Sequence, residues 1–235
     1  MDYRYVINQK LSTVFSFSGV CLFCGFLDND DKLIEVEYPC RHCGNKGPRR
    51  NYFPIVVDVL IDLMQEIYHS ESMVGAKYRR IYNTKKEADN AHKLAVVIFF
   101  VTLGEVLLEH FLRELMNARE IPRNEQNEKL ENNLDIKKRI GKLFEEFSKR
   151  KWMDVIKEIN KDVSLDYEKT NQFYLEVREA RNRFVHEGDK WAIPEEMPAN
   201  CIDKIGHILN LFVSLHNYFI PCIYRDKKCN YSSII

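Results

Sequence analysis

The sequence predicts a mainly α fold preceded by a small β-rich module, and three observations carry that reading. Residues 11–47 are rich in β-branched and aromatic side chains and are broken by Gly25, Gly44, Gly47 and the turn-like Asp28-Asn29-Asp30-Asp31, the texture of short strands and turns. After Pro48, apolar residues recur in helical period almost to residue 222. Four of the seven cysteines fall into two CxxC pairs, both inside the β-rich stretch. The change of texture places a boundary near residues 48–53, giving a module over residues 1–50 and a helical domain over residues 51–235.

A first helix starts at Pro54, a good N1 residue, and puts Val56, Val57, Leu60, Leu63, Met64 and Ile67 on one face before ending near His69 or Ser70. Tyr78-Arg79-Arg80-Ile81-Tyr82 reads either as loop or as continued helix. Thr84 and Glu87 form a capping box for a long second helix that turns Leu94, Val97, Ile98, Val101, Leu108 and Leu112 inward and stops at Pro122. Residues 123–133, polar and asparagine-rich, predict a surface loop. Ile136, Ile140, Leu143, Phe144 and Phe147 mark a shorter helix with a basic exposed face. A further helix runs from about Asp166 to Glu187 with Gly188 as its C′ residue, and the last spans Ala199 to Ile220 and stops at Pro221.

Composition narrows the function classes. The 35 Lys and Arg balance the 35 Asp and Glu, so no global field draws the chain to nucleic acid or an anionic membrane, and such binding must come from local patches. The longest apolar stretch, Leu94–Leu103, is about half of the roughly 20 residues that a bilayer-spanning helix needs. MDYRYVINQK has neither an apolar stretch behind its charges nor a small-residue cleavage site. The expectation is therefore a cytoplasmic protein with no membrane partner, in which Cys201, Cys222 and Cys229 are scattered thiols.

Cys21-Leu22-Phe23-Cys24, fifteen intervening residues and Cys40-Arg41-His42-Cys43 match the spacing of four-thiolate zinc sites. Each CxxC turn brings two thiolates to one ion, and the glycine after each pair frees the backbone beneath it. Four sulfurs suit tetrahedral Zn²⁺ and leave no open position, so the ion is expected to be structural. A redox dithiol, an iron centre, or His42 in place of Cys43 are the alternatives. The module resembles a zinc ribbon. Its acids, Asp28, Asp30, Asp31, Glu35 and Glu37, offset Lys32, Arg41, Lys46, Arg49 and Arg50, which leaves a structural or protein-contacting ribbon and an RNA-touching one both open.

The other dense cluster is Glu176-Val-Arg-Glu-Ala-Arg-Asn-Arg-Phe-Val-His-Glu-Gly188, which packs Arg178, Arg181, Asn182, Arg183 and His186 into one helix end. On a regular helix Arg181 and His186 lie roughly 140° apart, so within one chain they need not touch. A basic helix end near its negative dipole pole is also what a solvated, capped terminus looks like.

Here the chain resembles the HEPN superfamily, helical domains whose ribonuclease members carry Arg, a polar residue and then His near the end of the penultimate bundle helix. Arg181-Asn182-Arg183-Phe184-Val185-His186 fits the short form of that motif, and the resemblance covers about residues 54–222. It implies a homodimer formed through the helical domain, with two Arg and two His in one composite cleft that cuts RNA without a catalytic metal. In that chemistry His186 exchanges the protons of the 2′-hydroxyl and the leaving 5′-oxygen, and Arg181 holds the phosphate as its charge grows. Asn182 would orient His186 or bind the phosphate, and Arg178 and Arg183 would add attraction. The family also implies an acidic residue behind the motif, matched by Glu105, for which a structural salt bridge to Arg178 or Arg181 is the competing reading. A toxin or antiviral and abortive-infection role, held in check by an antitoxin, sensor or activator protein, is implied by the resemblance alone.

Lys137-Lys138-Arg139, with Lys142 and Lys149-Arg150-Lys151, form a basic element diluted by Glu145 and Glu146. It reads as solvated charge or as a phosphate track, as do Tyr78-Arg79-Arg80 and Lys85-Lys86. The leading expectation is a metal-independent endoribonuclease. The alternative is a non-catalytic RNA-binding or protein-interaction adaptor of the same fold. A DNA-binding ribbon regulator is weaker, since no helix-turn-helix is visible.

Overall fold

The computed structural model of the chain describes residues 18–29, 38–69, 85–161, 166–189 and 191–231, without the side chains of residues 85–92 and 225–231. Asp30, Asp31, Tyr78-Arg79-Arg80-Ile81-Tyr82 and the Thr84 cap lie outside the described residues, as do the side chains of Lys85, Lys86 and Glu87. Three short strands, β1 (Ser18–Cys21), β2 (Leu27–Asn29) and β3 (Arg49–Asn51), form an antiparallel sheet in the order β2-β1-β3. Gly19 pairs with Asp28 on one side and Asn51 on the other. Helices follow as α1 (Ile55–His69), α2 (Lys85–Ala118), α3 (Arg123–Glu131), α4 (Ile136–Lys138), a π-helical turn (Arg139–Leu143), α5 (Phe144–Ser148), α6 (Trp152–Asn160), α7 (Tyr167–Glu187) and α8 (Met197–Tyr231). The fold is mainly α with a small β part, as the sequence predicts.

The chain forms two compact units, each assembled from separated stretches. One holds the residues up to Pro54, Leu107–Glu168 and the chain from Leu209; the other holds Ile55–Val106 and Lys169–Ile208. The change of texture near residue 50 thus marks a change of secondary structure, while the cysteine-bearing strands share their unit with helical residues. In that first unit Phe144 meets Trp152 edge-on at 5.0 Å and Phe219 at 5.7 Å. Val20, Leu27, Tyr52 and Val213 join sheet to helix in a buried cluster. In the second unit Phe100 packs on Phe173 at 5.8 Å and on Tyr174. Gly104 makes room for that ring, since a Cβ there would lie 2.2 Å from Tyr174 Cε2.

Three local expectations change. Residues 123–131 are a helix where a loop was expected, because Gln126 and Leu130, one turn apart, are buried and the Gln126 amide donates to Asn117 Oδ1 (2.6 Å) and the Ile121 carbonyl (2.8 Å). Trp152, Val155, Ile156 and Ile159 build a helix on a spacing that was legible but went unread. Pro221 lies inside α8, which continues to Tyr231. A proline removes one donor and strains the turn before it, but Ile220 and Ile223 on either side are buried, and their packing carries the helix onward.

Lys93–Ala118 is long and apolar enough to cross a membrane by length and composition, with a mean hydropathy of 2.0, and half of that window is buried in the protein. A buried core helix passes the same test. Here Val96, Val97, Phe100 and Val101 are buried, while Glu105, Glu109 and Glu114 on the same helix hold arginines.

Candidate functional site

Each CxxC pair folds into the same turn. Gly25 N–H donates to the Cys21 carbonyl and Gly44 N–H to that of Cys40, both at 2.8 Å, and both glycines have φ of 72°. The Cys21 and Cys40 amides close the turns by donating to Phe26 (2.9 Å) and Asn45 (3.0 Å) carbonyls. The two turns bring all four sulfurs within 4.8 Å of one another, with Cys21 to Cys43 at 3.8 Å and Cys24 to Cys40 at 3.7 Å. A tetrahedron of sulfurs at about 2.3 Å from zinc has edges of about 3.8 Å, so the donor set fits the ion. The thiols conflict chemically: the Cys40 pKa is held low by the Cys24 thiol that donates to it, while that of Cys24 is driven high. A bound dication relieves this by stabilising every thiolate at once. His42 stands outside the set, stacked on Phe26 at 5.3 Å.

The module's cations are spent internally. Asp28, 1% exposed, faces Arg41 at 3.5 Å and Arg49 at 3.8 Å, and Arg50 grips Glu114 of α2 through both guanidinium nitrogens. Lys46 is then the cation of the described module with no such acid beside it, which favours a structural ribbon over an RNA-touching one.

Helix α8 fastens the sheet from the other side. Asn217 mimics a neighbouring strand: its Oδ1 accepts from Leu27 N–H at 2.8 Å and its Nδ2 donates to the Leu27 carbonyl at 2.9 Å. Both backbone groups are buried, so Asn217→Ala leaves two orphans and is expected to cost about 2–4 kcal/mol. Urea unfolding checks this, and a change below about 0.5 kcal/mol, the scale of an ordinary surface substitution, would sink the strand-mimic reading.

His216, fully buried, donates from Nε2 to the Gly25 carbonyl at 2.8 Å and lies edge-on to Tyr52 at 4.8 Å. Burial pushes its pKa down to about 4, against the attraction of Glu114 and with the repulsion of His110 and Arg50. The unfolded chain therefore takes up this proton first, and stability is lost as pH falls from about 6.5 towards 4. At about 1.4 kcal/mol per unit, the loss reaches roughly 3 kcal/mol. His216→Gln keeps a donor for Gly25 without the titration, so its unfolding free energy should depend less on pH between 7 and 5 than that of the wild type.

The arginine and histidine cluster occupies the last turns of α7. Arg181 donates from a terminal nitrogen to Glu105 Oε1 at 2.7 Å, and Arg178 Nε lies 3.9 Å from the same oxygen. Both guanidinium groups are mostly covered, at 18% and 15% exposure, and Glu105 is 39% exposed. The ion pair foreseen for Glu105 is therefore present, and it serves both arginines. His186 is exposed and its imidazole has no hydrogen-bond partner among the described residues, while Asn182 is half-buried. Gly188, at φ 67°, ends the helix, and Asp189 turns back to accept the Arg183 guanidinium. The structure thus brings Arg178, Arg181 and Glu105 together and leaves His186 facing outward. Asp189 was missed in the sequence, although an acid just past a helix-ending glycine, six residues from an arginine, was the available signal.

Lys137 and Lys138 are exposed, whereas Arg139 is held by Glu109 (3.2 Å) and by the Asn133 carbonyl (3.0 Å). All three belong to the first unit and the α7 cluster to the second. No protein family, no curated protein and no solved structure matches this chain.

Proposed function

We propose that this chain is a metal-independent endoribonuclease of the HEPN type, acting as a homodimer and stiffened by one structural zinc. The observation that carries the reading is the pairing, on one helix end, of an outward-facing His186 with an Arg181 restrained by Glu105. In the reaction the ribose 2′-oxygen bonds to phosphorus and the bond from phosphorus to the 5′-oxygen breaks. One His186 takes the 2′-hydroxyl proton and the other protonates the leaving oxygen, while Arg181 meets the growing phosphate charge. The offset between the two side chains suits a cleft composed from two α7 helices, each supplying both residue types. Zinc supplies rigidity to the cysteine module only.

Cleavage that passes through the 2′-hydroxyl spares DNA and leaves a 2′,3′-cyclic phosphate and a 5′-hydroxyl. The test is total RNA beside a DNA control in EDTA, with zinc content followed in parallel, for the wild type, Arg181→Ala and His186→Ala. RNA cut by the wild type alone, with cyclic-phosphate ends, supports the reading; equal cutting by all three defeats it. Unrestrained cleavage would harm the host, so a toxin or antiviral effector under the control of an antitoxin, sensor or activator follows as the biological role, in the cytoplasm. The matching of Arg181 by Glu105 also favours a second reading, an adaptor in which the arginines only hold structure. That reading predicts RNA binding or dimerisation with no cleavage under any activation.

A further inference from the structure

Trp191 is 81% exposed, in contrast to Trp152 at 7%. Its position is built. Asp189 N–H donates to the Arg183 carbonyl (3.3 Å), so the chain after Gly188 folds back on the last turn of α7. The Asp189 carboxylate then accepts from the Arg183 side chain and from Trp191 N–H (3.0 Å), and Ala192 N–H closes the turn on the Asp189 carbonyl (3.1 Å). Four hydrogen bonds fix a turn whose third residue is a large apolar ring in water, five residues beyond His186. Val185, 49% exposed, adds apolar surface on the same helix end. An exposed indole face is the kind of group that binds unpaired bases, because every base has a π face to stack on it.

We infer that Trp191 is a base-stacking residue that docks a single-stranded nucleotide of the RNA next to the scissile phosphate. This rests on the ribonuclease reading, and it names the substrate as unpaired RNA, since a base held in a duplex cannot offer its face to the ring.

The test uses the full chain, loaded with zinc, and a short single-stranded 2′-O-methyl oligoadenosine, which lacks the reactive hydroxyl. Trp191 should be quenched by this oligonucleotide and by acrylamide, and Trp152 by neither. Trp191→Ala should weaken binding about 5- to 100-fold, the loss expected for one stacked base, and raise KM with little change in kcat. Trp191→Phe should retain most of the affinity while losing the quenching. Unchanged affinity in Trp191→Ala, with the thermal midpoint also unchanged, overturns the inference. So does a Trp191 already shielded from acrylamide before RNA is added, which would mean a protein surface covers it. The nuclease reading is judged separately by the wild type and Arg181→Ala: stacking without any cleavage under any activation defeats that reading and, with it, the placement beside a scissile phosphate, whereas cleavage by the wild type with unaltered affinity in Trp191→Ala defeats the stacking role alone.

Discussion

Cys24→Ser is expected to leave the protein without zinc and with its cysteine module unfolded. Four-thiolate sites contribute on the order of 10 kcal/mol to folding, comparable to the whole stability of a typical domain. The strands are short, with β1, β2 and β3 spanning only four, three and three residues, so without the metal the sheet rests on the α8 clasp and its small buried cluster. Metal analysis should give about one zinc per wild-type chain and almost none in the variant. Hydrogen exchange should show protection lost across β1, β2 and the α8 residues that clasp them, beginning with Leu27, whose amide depends on Asn217. Protection around Phe100 and Tyr174, in the other unit, should outlast it. A Cys24→Ser protein that keeps its zinc and its melting temperature would refute the four-thiolate site.

His186→Ala is expected to lower RNA cleavage by about 10²- to 10⁴-fold, the usual yield of a positioned general acid or base. Arg181→Ala should lose about 10²- to 10³-fold, as when one charge-stabilising donor is removed. Arg181→Lys should fall between, since it keeps the charge and loses the planar fork. Glu105→Gln keeps an acceptor for Arg181 while removing the countercharge, and the loss there should stay under about tenfold. Single-turnover rates on a defined RNA decide all four. If His186→Ala cleaves as fast as the wild type, the proposed chemistry is wrong, whatever Arg181 does. A mixture of the Arg181→Ala and His186→Ala chains should stay well below wild-type activity, because the two proton transfers draw on the His186 of both protomers and the mixed dimer keeps only one.

The features legible in the sequence are those written in local spacing. Cys21, Cys24, Cys40 and Cys43 could be assigned because thiolate chemistry demands two short loops, and the glycines behind them mark the turns. The helices α1, α2 and α7 could be read because their apolar period outlasts local noise, and Gly188 marked where α7 ends. What was not legible depends on distant partners. Residues 123–131 form a helix despite their polar, loop-like texture because Gln126 and Leu130 are buried, and Pro221 stays helical because Ile220 and Ile223 beside it are buried too. Asn217 looked like one more polar residue in the last helix, and only the position of Leu27, 190 residues away, makes it a strand substitute. Glu105 was recognised as anomalous on an apolar face, but the sharing of one carboxylate oxygen by Arg178 and Arg181 follows from the packing of α2 on α7 within their unit.

The clasp between Leu27 and Asn217 has a consequence for biosynthesis. The cysteine pairs are made well before the helix that completes their unit, whose Asn217 follows Leu27 by 190 residues, so they can take up a metal before that helix exists. Until then the edge of β2 lacks its cover, and exposed strand edges are where nascent chains associate wrongly. Early metal loading would confine that hazard to a few residues, and a cell short of zinc would meet its cost first during translation, before any finished molecule had lost its ion.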